Sequence, residues 1–276
     1  MAEPSPEGTP SDIVTVRSEG DVAILEFDDG KANALGNDTI DALLTALDEV
    51  DGSADAIVLA GRPGRFSAGF DLGIMRSGPE AAQAMLARGV DLFLRLYLYP
   101  RPVVAACTGH AIAAGAIILM SCDLRVGTRG EYKIGLPEVT IGMPLPFFAT
   151  ELARDRISKR HYARVTALGT MYDPDGAVDA GFLDETVDGA PVAVAGDRAQ
   201  GLTGISRGGL LRTRTTARGA TAEAIRSGLE EDLSHFAVGD GCRRHPTDHG
   251  PRDRLRRRVA GRLRWAREPR PGRPLP

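Results

Sequence analysis

Two stretches of the chain combine apolar β runs, glycine and small residues in a pattern that turns main-chain N–H groups toward a cavity. In residues 103–123, VVAACTGHAIAAGAIILMSCD, an apolar β run (Val103–Cys107) breaks at Thr108-Gly109, small residues follow, and an apolar helix leads to Asp123. A helix N-terminus carries unsatisfied N–H donors and partial positive charge, which suits an anion or a developing oxyanion. Ala111, Ala113, Ala114 and Gly115 leave room for a bulky ligand to reach the main chain. Taken alone, this stretch fits a packed α/β crossover equally well. In residues 57–72, IVLAGRPGRFSAGFDL, a buried strand (Ile57–Ala60) and a Gly/Pro turn precede FSAGFDL. Gly69 can take a positive φ and so aim the N–H of Phe70 into a site, although the words also suit an ordinary strand-to-helix turn. Two such turns together supply two donors for one carbonyl oxygen, the geometry of an oxyanion hole.

Glu138 is the candidate proton carrier. It stands in IGLPEVTIGM (134–143), where Ile134, Leu136, Val139, Ile141 and Met143 make the loop apolar. A carboxylate in such surroundings has a raised pKa and can act as a base near neutral pH; the alternative is an exposed loop carboxylate. Asp71 and Asp123 end their motifs and read as turn or capping residues, His110 as a structural histidine, and Glu131, Glu151 and Asp155 as solvated. The chain has no GxSxG elbow and no Walker A or GxGxxG sequence. Hydrolase triads and nucleotide-dependent transfer therefore lose support.

The elements that must hold these groups are legible in outline. IVTV (13–16) and VAILEF (22–27), joined across Ser18–Asp21, read as a β-hairpin. Ile40, Leu43, Leu44, Leu47 and Val50 recur at helical spacing after a cap at Asn37 or Asp38. A strand over 56–60, a helix over 80–98 and the 103–123 unit follow, and their alternation argues for an α/β sheet with parallel strands. Short β runs fall near 124–126 and 132–134, helices near 147–153 and 175–180, and VDAGFLDETV (178–187) returns to a strand. Ile225, Leu229, Leu233 and Phe236 form one stripe of a final amphipathic helix.

Length, 276 residues, fits one large domain with an appendage. The expected organisation is a disordered N-terminus (1–11), a core (12–190), a C-terminal helical region (191–238) and a disordered Arg/Pro-rich tail (239–276). That tail holds 12 of the 34 Lys+Arg residues, all Arg, and a basic tail either stays solvated or binds acidic surfaces. Cys242, His245 and His249 have ligand-like spacing, but one such cluster is weak ground for a metal site, and none is expected. Net charge -3 gives no general case for nucleic acid or a membrane surface. Three cysteines form no disulfide framework, which favours a reducing, cytoplasmic setting. The opening MAEPSPEGTPS lacks a basic n-region and an apolar h-region, so no signal peptide is expected. No apolar run approaches the roughly 20 residues that span a bilayer.

KANAL at 31–35, FSAGFDL at 66–72, Gly109–Asp123 with its CD ending, and IGLPEVTIGM at 134–143 together resemble the crotonase (enoyl-CoA hydratase/isomerase) superfamily, in order and spacing, over residues 12–238. The resemblance implies an α/β crotonase (ClpP/crotonase-like) fold of stacked ββα units with C-terminal helices. It implies an acyl-CoA or enoyl-CoA substrate, coenzyme A being part of that substrate and no separate cofactor being needed. By the same resemblance the oxyanion donors are the backbone N–H groups of Phe70 and Ala114, and Glu138 is catalytic. Ala32, Ala34, Ala68, Gly69, Asp71, Leu72, Ala113, Ile117, Pro137 and Gly142 are the matching substrate-binding positions. Family hydratases carry a second glutamate three residues past the second oxyanion residue, where this chain has Ile117. The family commonly has Gly at the position of Ala114. One glutamate beside an alkyl residue resembles the family's enoyl-CoA isomerases more than its hydratases, because moving a double bond needs only one proton carrier. The alternatives are a hydratase, another activity of the fold (hydrolase, dehalogenase or decarboxylase), and an inactive CoA-binding or assembly protein. A homotrimer or a pair of trimers is also implied, either with the final helix packed across the trimer interface or with that helix folded back on its own core.

Overall fold

The computed structural model describes residues 13–237. The hairpin forms as expected: β1 (Val14–Glu19) pairs antiparallel with β2 (Val22–Phe27), and the turn closes at Gly20-Asp21, with the strand running past Ser18. After β3 (Ala34–Leu35) comes α1 (Asn37–Glu49). Its N-cap is Gly36, with no side-chain cap, so neither Asn37 nor Asp38 caps it; both already lie inside the first turn. Next come β4 (Ala56–Ala60), β5 (Gly64–Ser67), β6 (Gly69–Phe70), the short α2 (Leu72–Ser77) and the long α3 (Pro79–Tyr97).

The 103–123 unit contains more structure than its sequence suggests. β7 (Val103–Cys107) is followed by another strand, β8 (Gly109–Ile112), and only then by α4 (Ala114–Ser121). Thr108-Gly109 is thus a corner between two strands rather than the end of one. Gly109 permits that corner, since a methyl group there would lie 2.1 Å from the backbone of Gly64. β9 (Leu124–Thr128) and β10 (Ile134–Gly135) precede α5 (Phe147–Arg156), α6 (Lys159–Thr166), α7 (Pro174–Ala180), β11 (Glu185–Val187), α8 (Pro191–Gln200) and α9 (Arg207–Ala237).

The main sheet has the order β1-β2-β4-β7-β9-β11, parallel apart from β1. Its inner strands AIVLA and VVAAC are buried along their whole length, as a parallel sheet covered on both faces requires. Leu25, Ile57, Leu59, Val103 and Ala105 belong to the larger core with α1, α3 and α4. Ile24, Val58 and Val104 face the other way, with Ala195 and Ala199 of α8. A smaller parallel sheet, β10-β8-β5, carries the chain away from the ends of β4 and β7, and β3 pairs with β6. Along α9, Ile225 is buried and Leu229 and Leu233 pack on the core of the same chain; the side chain of Phe236 lies outside the described residues. The proposed terminal segments 1–11 and 239–276, with Cys242, His245 and His249, also lie outside them. Among the described residues, no helix is long and apolar enough to cross a membrane.

Candidate active site

Four sequence motifs, distant along the chain, meet at the junction of the small sheets. Ala34↔Gly69 and Leu35↔Phe70 are paired, bringing residues 31–35 beside 66–72. Asn33 ties the two: it is fully buried, and its Nδ2 donates to Phe27 O at 2.8 Å and to Arg65 O and Phe66 O at 3.3 Å. Ser67 returns the link, donating through Oγ to Asn33 O (2.7 Å) and accepting from Gly69 N (3.2 Å). Sequence reasoning passed over both residues, although a small polar residue inside an apolar motif is a visible signal. A buried polar side chain must find partners, and these find them in the neighbouring motif.

The donor groups follow from this packing. Gly69 has φ +99, the left-handed region expected of it. Asp71 N donates to Leu35 O at 3.2 Å, so strand alternation turns the N–H of Phe70 away from β3. A methyl group on Gly69 would sit 3.0 Å from Ala113 Cβ and 3.5 Å from Ala114 N, so this turn abuts the start of α4. A methyl on Gly115 would come within 2.5 Å of Ser67 O. Ala114 is the first residue of α4, where an N–H has no acceptor inside the helix. The residue before it, Ala113, is held at φ +53 and ψ -120. A residue with a Cβ pays of order 1–3 kcal/mol for such a conformation, and the surroundings must enforce it. Here Ala113 N donates to Gly135 O at 2.9 Å, clamping the strained residue to β10.

Gly135 in turn begins the loop that carries the acid. Ile134↔Ala111 and Gly135↔Ile112 are paired, and three residues beyond Gly135 stands Glu138, first residue of a 3-10 helix (Glu138–Ile141) with Pro137 as its N-cap. Glu138 Oε2 is buried and has no hydrogen-bond partner among the described residues. Burial pushes the carboxyl up to about 7, opposed in part by a bond from its own backbone N–H. The exposed-loop alternative for Glu138 does not hold, since the residue is half-buried with Oε2 out of solvent. Of the apolar flanks, Ile134 and Leu136 are buried, Val139 and Met143 half-buried, and Ile141 is 66% exposed.

The other positions spread around this junction. Ala32 and Ala34 are half-buried, Ala68 and Gly142 exposed, and Leu72 is 58% exposed on the first turn of α2. Ile117 lies three residues past Ala114 and is only 1% exposed, set in the core. Asp71 caps α2, accepting from Ile74 N at 3.0 Å, and Asp123 accepts from Val103 N at 2.8 Å and from Arg214 and Arg218. Both hold structure, as their places at motif ends suggest. His110 Nδ1 accepts from Lys133 N at 3.0 Å. Asp155 is more than solvated: it accepts from the Tyr97 hydroxyl at 2.6 Å.

The enoyl-CoA hydratase/isomerase family model matches residues 17–198. The chain is 30% identical to the mitochondrial enoyl-CoA delta isomerase 1 of Rattus norvegicus over 231 residues, 81% of this chain and 80% of that protein. It is 34% identical to a probable enoyl-CoA hydratase of Bacillus subtilis over 166 residues, covering 59% of this chain and 64% of that one. Among solved structures, an enoyl-CoA hydratase/isomerase family protein from Pseudomonas syringae superposes with a TM-score of 0.80 at 37% identity, covering 82% of this chain and 99% of the other.

Proposed function

The chain belongs to the enoyl-CoA hydratase/isomerase family, and from that premise we propose that it moves a carbon–carbon double bond within an enoyl-CoA thioester. The thioester oxygen accepts the N–H groups of Phe70 and Ala114. Donors of this kind are worth about 3–4 kcal/mol each when measured by removal. With the oxygen so held, the proton on C2 of a 3-enoyl thioester becomes acidic, and the Glu138 carboxylate takes it. The electron pair is delocalised over the dienolate, and Glu138 returns the proton to C4, leaving the double bond between C2 and C3. Net atoms and charge are unchanged.

One observation carries this reading: the buried, unpartnered Oε2 of Glu138, with a carboxyl pKa near 7. A group poised there can both accept and return a proton at neutral pH. Ile117, which cannot move a proton, is a core residue one helical turn beyond Ala114. Hydration needs one group to activate water and another to deliver a proton. The same reading includes an acyl-CoA substrate, no dissociable cofactor, a cytoplasmic setting, and a homotrimer or a pair of trimers.

A hydratase is the second reading, favoured by the relative of that name in Bacillus subtilis. Steady-state assays with a 3-enoyl-CoA and with crotonyl-CoA separate the two. Isomerisation is expected to exceed hydration at least about 10²-fold in kcat/KM, the scale of one missing acid–base group. Glu138→Gln should abolish isomerisation while leaving acyl-CoA binding within about threefold. Efficient hydration by the unmodified protein would overturn the isomerase reading.

A further inference from the structure

The C-terminal helix α9 reaches the exit of the loop that holds Glu138. Asp232 on that helix is 9% exposed, and both its carboxylate oxygens lie 2.9 Å from the N–H of Phe147. Phe147 opens α5, and the residue before it is Pro146, which has no side-chain acceptor to offer. The cap that a helix start normally takes from its own N-cap residue thus comes from a residue 85 positions later. The Phe147 ring also lies on α9, where a methyl group on Gly228 would come within 2.9 Å of its Cε1.

From Phe147 the constraint runs back to the acid. Pro144 and Pro146 restrict the backbone between them, and Leu145 packs on the core. Met143 N then donates to Glu138 O at 3.0 Å. A displacement at Phe147 has little slack to absorb it before Glu138. The helix itself is seated at other points, by Arg214 and Arg218 on Asp123 and by Gln83 Nε2 donating to Leu233 O at 2.9 Å.

We propose that Asp232 is a positioning residue for the proton carrier: by capping α5 in trans it fixes the exit of the loop that aims Glu138. It lies outside residues 17–198, the part of the chain that the family model matches. The proposal rests on the reading of Glu138 as the acid/base.

The test compares Asp232→Ala, Asp232→Asn and Gln83→Ala with the unmodified chain, using a 3-enoyl-CoA as probe and amide hydrogen exchange as a second readout. Gln83→Ala removes a tether of the same end of α9 but leaves the cap. Asp232→Ala should lower kcat about 10–100-fold, the usual result of displacing a catalytic group by an ångström, with KM within about threefold. Asp232→Asn keeps an acceptor oxygen for Phe147 and should recover most of kcat, while Gln83→Ala should stay near the unmodified value. Exchange at the Met143 and Phe147 amides should accelerate in Asp232→Ala alone. An unchanged kcat in Asp232→Ala, or an equal fall in Gln83→Ala, would overturn the proposal. If the unmodified chain does not isomerise the probe, the isomerase reading fails on its own, and unchanged exchange at Met143 and Phe147 in Asp232→Ala is then what overturns the cap.

Discussion

The turns at Gly69–Phe70 and Ala113–Gly115 and the loop at Glu138 belong to one junction of paired strands but are held by different means. The turns are fixed by main chain and by one neutral side chain: a strained alanine clamped to Gly135, glycines with backbone where a side chain would be, and the Ser67 hydroxyl bridging two motifs. The carboxylates nearby, Asp29 and Asp71, accept from backbone N–H groups and so hold the chain in place. The loop carries a carboxyl meant to titrate, whose buried Oε2 lacks a partner among the described residues and whose surroundings favour its protonated form. A fixed dipole is best built from backbone, because its work is done without moving. A proton carrier has to be a side chain kept slightly uncomfortable in both of its charge states.

If that contrast is right, the donor turns should fail through geometry. Gly115→Ala places a methyl group 2.5 Å from Ser67 O, so either α4 or the 67–70 turn must shift. Overpacking of this kind costs about 1–3 kcal/mol of stability. The larger effect is on rate: losing alignment of one oxyanion donor should lower kcat about 10²–10³-fold. Steady-state kinetics beside thermal unfolding measure both, and full activity in a folded Gly115→Ala protein would break the comparison on the donor side.

The acid side should fail, or gain, through charge. A carboxyl whose folded pKa of about 7 lies above its ordinary 4.5 binds its proton more tightly in the folded state. The extra stability is fully present below pH 4.5 and is lost as pH rises to about 7. By then the loss is about 3 kcal/mol. Glu138→Gln removes that dependence and should be more stable than the unmodified protein at pH 8, by up to about that amount. Over the same window kcat/KM should rise with pH and level off above about 7, as the carboxylate becomes available. Chemical denaturation at pH 5 and pH 8 checks the first effect, and a pH–rate profile the second. A flat stability difference between the two proteins would mean that Glu138 is not held out of water.

The sequence made some of this legible and hid the rest for identifiable reasons. Gly69 could be read from its small-residue turn, and Glu138 from the apolar residues before it, Ile134 and Leu136, which are buried, whereas Ile141 after it is exposed. Strands such as Val103–Cys107 were equally plain. β8 was not, since GHAI has too few β-branched residues to signal a strand and is held by pairing with residues far along the chain. The N-cap of α1 was misplaced because a glycine there leaves no side-chain mark. Asn33 and Ser67 matter through partners more than thirty residues away or in the other motif, and Asp232 through a helix 85 positions before it. Periodicity reports which face a residue occupies. It does not report what lies opposite.

The mildest test is also the most discriminating for the donor half. Ala114 contributes a main-chain N–H, and its methyl group is buried against the core. Ala114→Gly removes that methyl and keeps the donor. The change costs about 0.5–1 kcal/mol in backbone entropy and about 1 kcal/mol more for the buried methyl. The N–H of residue 114 still lacks an intrahelical acceptor, and Ala113 still anchors the turn to Gly135. Activity should therefore stay within about threefold of the unmodified protein, far from the 10²–10³-fold expected when a donor is lost. A fall of that larger size in Ala114→Gly would show that the side chain itself shapes the oxyanion site, and the distinction between a backbone half and a side-chain half would not survive it.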